Sequence, residues 1–167
     1  MRLIHVAVVI SLAIAACAGP SAGDDQALNT AAVQAAQKRL DDYIAAALAD
    51  QRDQLSDYWA EGAKIFEPET FVDGRAAMMT MLSEVLKSMK LSAATLQITD
   101  AFAHDRGTVV YQYGSIDETL TPRDGKAPPT RVRMFLTFRW VKAEDGVWRI
   151  DRLMETPMPP LQAAPKT

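Results

Sequence analysis

Arg131 to Met154, RVRMFLTFRWVKAEDGVWRIDRLM, is the stretch that most restricts the fold. Val132, Met134, Leu136, Phe138 and Trp140 alternate with Arg131, Arg133, Thr137 and Arg139. That is the period of a strand with one face buried. Lys142 to Gly146 is polar and ends in Asp145-Gly146, a strong hairpin-turn signal. The return strand places Trp148, Ile150, Arg152 and Met154 on one face and Val147, Arg149, Asp151 and Leu153 on the other. A hairpin with an apolar face needs a cover, and the upstream chain supplies the material for one.

Leu28 to Asp50 reads as a long amphipathic helix, with Val33, Ala36, Leu40, Tyr43, Ile44, Ala47 and Leu48 on one stripe. A second short helix is expected over Gln51 to Ala60, ended by Glu61-Gly62. Ala63, Ile65 and Glu67 then alternate in a short strand halted by Pro68. After the Asp73-Gly74 turn, Arg75 to Lys87 reads as a third helix, whose methionines are expected in the core. From Leu91 the period changes to two. Leu96 to Phe102 is one strand, and Thr108 to Leu120 the next, with Val109, Tyr111, Tyr113, Ser115 and Asp117 on one face. The expected class is α+β, with three N-terminal helices packed on an antiparallel sheet. The domain is expected over residues 28–156, with a Pro/Ala-rich disordered tail at 157–167.

A length of 167 residues fits one such domain. The net charge of -3 makes the chain a poor electrostatic match for phosphate backbones, so nucleic acid is excluded as a partner. The only cysteine is Cys17 and the histidines are His5 and His104. No disulfide can close within the chain, and multi-cysteine or multi-histidine metal sites have no ligands. No cofactor or metal is assigned.

The N-terminus reads as an address. Arg2 is followed by an apolar run, Val6 to Ala16, too short to span a bilayer and suited to a signal-peptide core over residues 1–16. The run ends Ile14-Ala15-Ala16-Cys17, which resembles the bacterial lipoprotein signal, in which the cysteine is acylated and becomes the new N-terminus. Residues 17–27 then form a flexible tether. The resemblance implies lipid anchoring in the cell envelope, at the outer membrane and facing the periplasm if the cell is Gram-negative. Ordinary secretory cleavage after Ala16 or Ala18, with release to the periplasm, is the alternative.

The order of elements from Leu28 to Glu155 resembles the nuclear transport factor 2-like superfamily, in particular its SnoaL-like and ketosteroid-isomerase-like members. Leu55-Ser56-Asp57-Tyr58-Trp59-Ala60-Glu61-Gly62-Ala63-Lys64-Ile65, Phe71-Val72-Asp73-Gly74-Arg75-Ala76-Ala77-Met78 and the final hairpin carry the resemblance. It implies a cone, a curved sheet wrapped on a long helix with a pocket at the open end. In ketosteroid isomerases the strand in the place of Ala63–Glu67 ends with an acidic base before proline, with Glu67 here standing where the family has Asp. The isomerase oxyanion site pairs a tyrosine with a protonated aspartate. Tyr43 lies in the corresponding helix, but the second position offers Arg133, which cannot act as a neutral acid. By the same resemblance Tyr58, Tyr111, Tyr113, Asp117 and Arg133 are candidates for lining the pocket. The sheet's outer face, carrying Arg131, Arg133 and Arg139, is either solvated or the surface of a homodimer.

Two functions fit these features. One is a membrane-anchored module that binds a small apolar or carbonyl-containing molecule, or another protein. The other is an enzyme of the SnoaL or isomerase type, with Glu67 as proton shuttle. The address is testable on its own: Cys17→Ser is expected to release the protein from membranes. Each buried methylene of an acyl chain contributes about 0.8 kcal/mol to anchoring. Unchanged fractionation of the variant, or a peptide with unmodified Cys17, refutes acylation.

Overall fold

The computed structural model describes residues 22–159. The proposed signal peptide, Cys17 and the start of the tether lie outside the described residues, as does most of the expected tail.

The long helix α1 spans Ala22–Leu48. It begins before the tether was expected to end. Its buried side chains are Ala32, Ala36, Leu40 and Ala46, with Val33, Tyr43, Ile44 and Ala47 packed beside them. Small residues at Ala32 and Ala36, 5% and 0% exposed, let the helix axis come close to the sheet. The helix stops at Asp50, in the left-handed region with φ +56. Gln51 N–H reaches back to the Ala46 carbonyl (2.9 Å) and Asp50 N–H to that of Ala47 (3.1 Å), which satisfies the last carbonyls. Hydrogen bonds from Arg123 and Arg52 hold the Asp50 side chain in this corner and its pKa below the usual carboxylate range.

The second helix is shorter than its sequence suggested. Helix α2 covers only Arg52–Leu55 and is followed by a single 3₁₀ turn, Ser56–Tyr58. Trp59 and Ala60 already belong to β1 (Trp59–Phe66), which continues through Gly62. A short strand absent from the sequence reading, β2 (Phe71–Asp73), pairs back on β1. Helix α3 (Arg75–Ser88) comes after these strands, so the helices do not all precede the sheet. Then follow β3 (Met89–His104), β4 (Val109–Pro122), β5 (Thr130–Lys142) and β6 (Trp148–Pro157).

The six strands form one curved open sheet in the order β2-β1-β6-β5-β4-β3. Every pair is antiparallel except β1 with β6, which is parallel. The inner face carries Val110, Gln112, Ile116, Leu136, Phe138, Trp140, Trp148, Ile150 and Leu153, all buried. Gly114 lies in the same row of β4, and a Cβ there would collide with the Gln97 backbone of β3, beside the register shift between Ile98 and Asp100. At the β3–β4 turn, Gly107 (φ +74) would bring a Cβ to 2.9 Å from the Leu28 carbonyl, so the turn and α1 meet at a point only glycine fits.

One buried polar chain ties helix to sheet. The Trp140 indole N–H donates to Gln112 Oε1 (2.7 Å), Gln112 Nε2 donates to Gln37 Oε1 (2.9 Å), and Gln37 Nε2 donates to Asp41 (2.9 Å). Gln112 is fully buried. Gln112→Leu removes the acceptor of a buried indole donor and is expected to cost about 1–3 kcal/mol in urea denaturation. Adding Trp140→Phe should recover part of that loss, since no donor then remains unpaired. Additive losses in the double variant would show that the chain carries no coupling.

Candidate functional site

Beyond the seat of α1, the sheet, α1 and α3 enclose a cavity of about 250 Å³. Tyr43, Ile44 and Ala47 of α1 form one wall and Met78, Met81, Leu82, Val85 and Leu86 of α3 another. Leu91, Leu120, Met134 and Leu153 line the sheet side, with Leu55, Trp59 and Ile65. The methionines read as core thus include two, Met78 and Met81, that also face the cavity. Into this apolar space come two carboxyls, Glu118 and Glu155, and one phenol, Tyr43.

Local backbone explains both glutamates. On β4 the inward row runs Val110, Gln112, Gly114 and Ile116, and Glu118 continues it by simple alternation. On β6 alternation fails. Trp140 pairs with Ile150 but Arg139 with Arg152, so Asp151 is an extra residue that shifts the register. Trp148 and Ile150 point inward before it, Leu153 and Glu155 after it, while Met154 is 54% exposed. Asp151 is held there by ion pairs to Arg139 and Arg152. Uninterrupted alternation from Trp148, as expected from the sequence, would put Arg152 and Met154 on its face; the bulge turns both outward.

Glu67 follows β1 directly. Phe66 stands opposite Met154 in the parallel pair, so Glu67 and Glu155 adjoin. The Glu67 side chain acts on the Glu155 carboxyl and helps to raise its pKa. Glu67 is half-buried at the rim, outside the cavity lining, and Glu155 stands between it and the cavity. The nearby Arg75 pairs with Glu61.

Burial decides the electrostatics. It pushes the Glu155 carboxyl up to about 8, and the neighbouring Glu67 and Glu118 charges add to the rise. Burial likewise raises the Glu118 pKa. The Tyr43 hydroxyl is pushed above its ordinary value by burial and then by Glu155 and Glu118, while the Trp59 indole N–H acts in the opposite direction. That indole N–H still completes no hydrogen bond, although Trp59 is only 1% exposed. Among the described residues no group of His, Cys, Asp or Glu is placed to hold a metal ion. No described helix is long and apolar enough to cross a membrane.

No protein-family model matches the sequence, and no curated protein does. Solved structures do. A ketosteroid isomerase-like protein from Erwinia carotovora aligns with a TM-score of 0.65 at 12% identity, over 77% of this chain and 97% of the other. A candidate scytalone dehydratase from Novosphingobium aromaticivorans gives 0.67 at 14%, over 80% and 89%. A nuclear transport factor 2-like protein of unknown function from Shewanella oneidensis gives 0.60 at 12%, over 74% and 97%. The chain has the nuclear transport factor 2-like fold. At these identities the likeness is one of fold and carries no activity.

Within that nuclear transport factor 2-like frame, most residues expected to line the pocket lie elsewhere. Tyr111, Tyr113 and Asp117 project from the outer face of β4, opposite to the row that ends in Glu118. Tyr111 and Tyr113 stack on Phe102 with ring centroids 5.4 and 5.8 Å apart. Arg133 and Arg131 both bind Asp117 at 3.1 Å on that outer face. Tyr58 is buried outside the cavity, its ring 5.3 Å from that of Tyr43 and beneath the Arg39 guanidinium at 3.9 Å. Glu118, Glu155 and Trp59 were missed. Glu118 was visible as an acid in the alternate row of β4; Glu155 was hidden by the bulge, and Trp59 by its assignment to a helix.

The raised Glu155 pKa fixes a pH dependence. From the ordinary 4.5 up to about 8 the folded state keeps a proton that the unfolded state has released. This stabilising contribution is complete below the ordinary value and is lost as pH rises through about 8. Glu155→Gln is therefore expected to match the wild type in melting temperature at acid pH and to exceed it above pH 8. A variant that melts lower at alkaline pH refutes the burial of this carboxyl.

Proposed function

We propose that the protein is a small-molecule binding module whose ligand occupies the cavity between α1, α3 and the sheet. The carrying observation is an apolar space of about 250 Å³ into which Tyr43, Glu118 and Glu155 bring the polar groups. Apolar walls with a few convergent polar groups are the usual form of a small-ligand site. The Ile14-Ala15-Ala16-Cys17 motif supports an acylated, envelope-anchored form. Exposed Phe102, Phe135 and Met154 on the outer sheet face support association of two copies there, rather than ligand contacts by Tyr111 and Tyr113.

A second reading is favoured by one observation, the adjacency of Glu155 and Glu67. An acid inside a cavity beside an acid at its rim is an arrangement that can move a proton between a bound carbonyl compound and solvent. In that reading Glu155 faces the substrate and Glu67 exchanges its proton, a revision of Glu67 acting alone.

Thermal-shift and native mass-spectrometry screening with small apolar alcohols, ketones, acids and amines tests the binding reading. A ligand at about a hundred times its Kd stabilises the fold by about 2.7 kcal/mol. Leu82→Trp, which fills the cavity, is expected to fold and to abolish that gain. Ligand binding unaffected by Leu82→Trp would place the site elsewhere.

A further inference from the structure

The cavity is chemically one-sided. Its ionisable side chains are all acidic or phenolic. Tyr43 comes from α1, Glu118 from β4 and Glu155 from β6, with Glu67 at the end of β1 behind Glu155. The other lining elements, α2, α3, β3 and β5, contribute only uncharged apolar side chains such as Leu55, Leu82, Leu91 and Met134. Among the described residues no lysine, arginine or histidine lines the space, and no cation is among the causes acting on Glu118 or Glu155. The cavity is therefore a low-dielectric space whose acids repel one another when charged.

A second feature is independent of the acids. Trp59, 1% exposed, forms part of the same wall, and its indole N–H, which acts on the Tyr43 hydroxyl, completes no hydrogen bond with it. A buried donor left unpaired costs about 1–3 kcal/mol, and an acceptor atom brought by a ligand would offset this. The rings of Tyr43 and Trp59 stand edge to face, with centroids 6.1 Å apart. Aromatic faces of this kind also attract a cation.

We propose that the cavity takes an apolar amine in its protonated form. The ammonium group binds Glu118 and Glu155, and an oxygen near the nitrogen accepts the Trp59 indole hydrogen. This inference rests on the small-molecule reading above and names its ligand class: amines with a compact apolar body, best as amino alcohols or amino ethers.

The exchange balances in charge. In the empty site Glu155 carries a proton below about pH 8. When an ammonium ion enters, the carboxyl ionises against it and the proton leaves, with Glu67 at the rim as its route to solvent. The positive charge that enters is matched by the proton released. Below about pH 8, binding should therefore tighten with rising pH, by at most about tenfold per pH unit.

The test is isothermal titration calorimetry on the full chain with benzylamine and phenylglycinol, beside the neutral benzyl alcohol and cyclohexanone. Each titration is run in phosphate and in Tris, whose ionisation heats differ. The expected result is that both amines bind more tightly than benzyl alcohol, that phenylglycinol exceeds benzylamine, and that amine binding releases close to one proton. Glu155→Gln should abolish the proton release. Glu118→Gln with Glu155→Gln should abolish amine binding while keeping that of benzyl alcohol, with a melting curve confirming that the variant is folded. Binding of the neutral compounds without the amines overturns the ligand class and leaves the small-molecule reading standing. Amine binding with no proton release, or unchanged in the double variant, overturns the site. Failure of every probe, neutral and charged, overturns both the class and the binding reading at this cavity.

Discussion

The structure depends on how deeply α1 lies in the hollow of the sheet. A helix can sink that far only where its facing side chains are short, which is what Ala32 and Ala36 provide. Closeness alone leaves the helix free to rotate about its axis. The hydrogen-bonded run from Trp140 through Gln112 to Gln37 removes that freedom, because any other rotation strands buried donors without acceptors. Once the rotation is set, the next turns of the helix have no choice of face. Tyr43, Ile44 and Ala47 look into the space beneath α3, and the cavity follows from the seating of the helix.

That cavity is costly to keep. Two carboxyls and a phenol are held away from water, with no cation among the described lining residues to compensate them, and burial disfavours their charged forms. A leucine at either glutamate would remove the penalty. Groups that a fold carries at a loss are characteristic of sites, where local consistency yields to chemistry. The outer face shows the contrasting use of charge. There Asp117 with Arg131 and Arg133, and Asp151 with Arg139 and Arg152, neutralise one another across strands and leave no net demand.

Much of the fold was legible in the sequence because it rests on period. The long helix, the third helix and the final strands all announce themselves by spacing, and the hairpin turn by Asp145-Gly146. The site was less legible, since it depends on which face of each strand is inside. On β4 both faces offer aromatic or branched residues, so Tyr111 and Tyr113 looked as suited to a pocket as Ile116 and Glu118. On β6 the extra residue is an aspartate held by two arginines, and neither glycine nor proline marks it. A one-residue slip inverts every later side chain, and the inversion brings Glu155 inside. Trp59 falls within the helix that the sequence suggests over Gln51 to Ala60, whereas it opens β1.

The parallel pairing of β1 with β6 also governs the order of assembly. On a ribosome the chain presents α1, β1 and α3 long before the final hairpin exists, and one edge of β1 stays unpaired throughout. Closing it joins residues some ninety positions apart, such as Phe66 with Met154, a long loop to close and a slow step for a chain of this size. The carboxyl of Glu155 arrives with that last strand. Until then the nascent protein has a helix, an open edge and an unfinished hollow, so the site is the last thing the chain acquires and the first it forfeits when synthesis stops short.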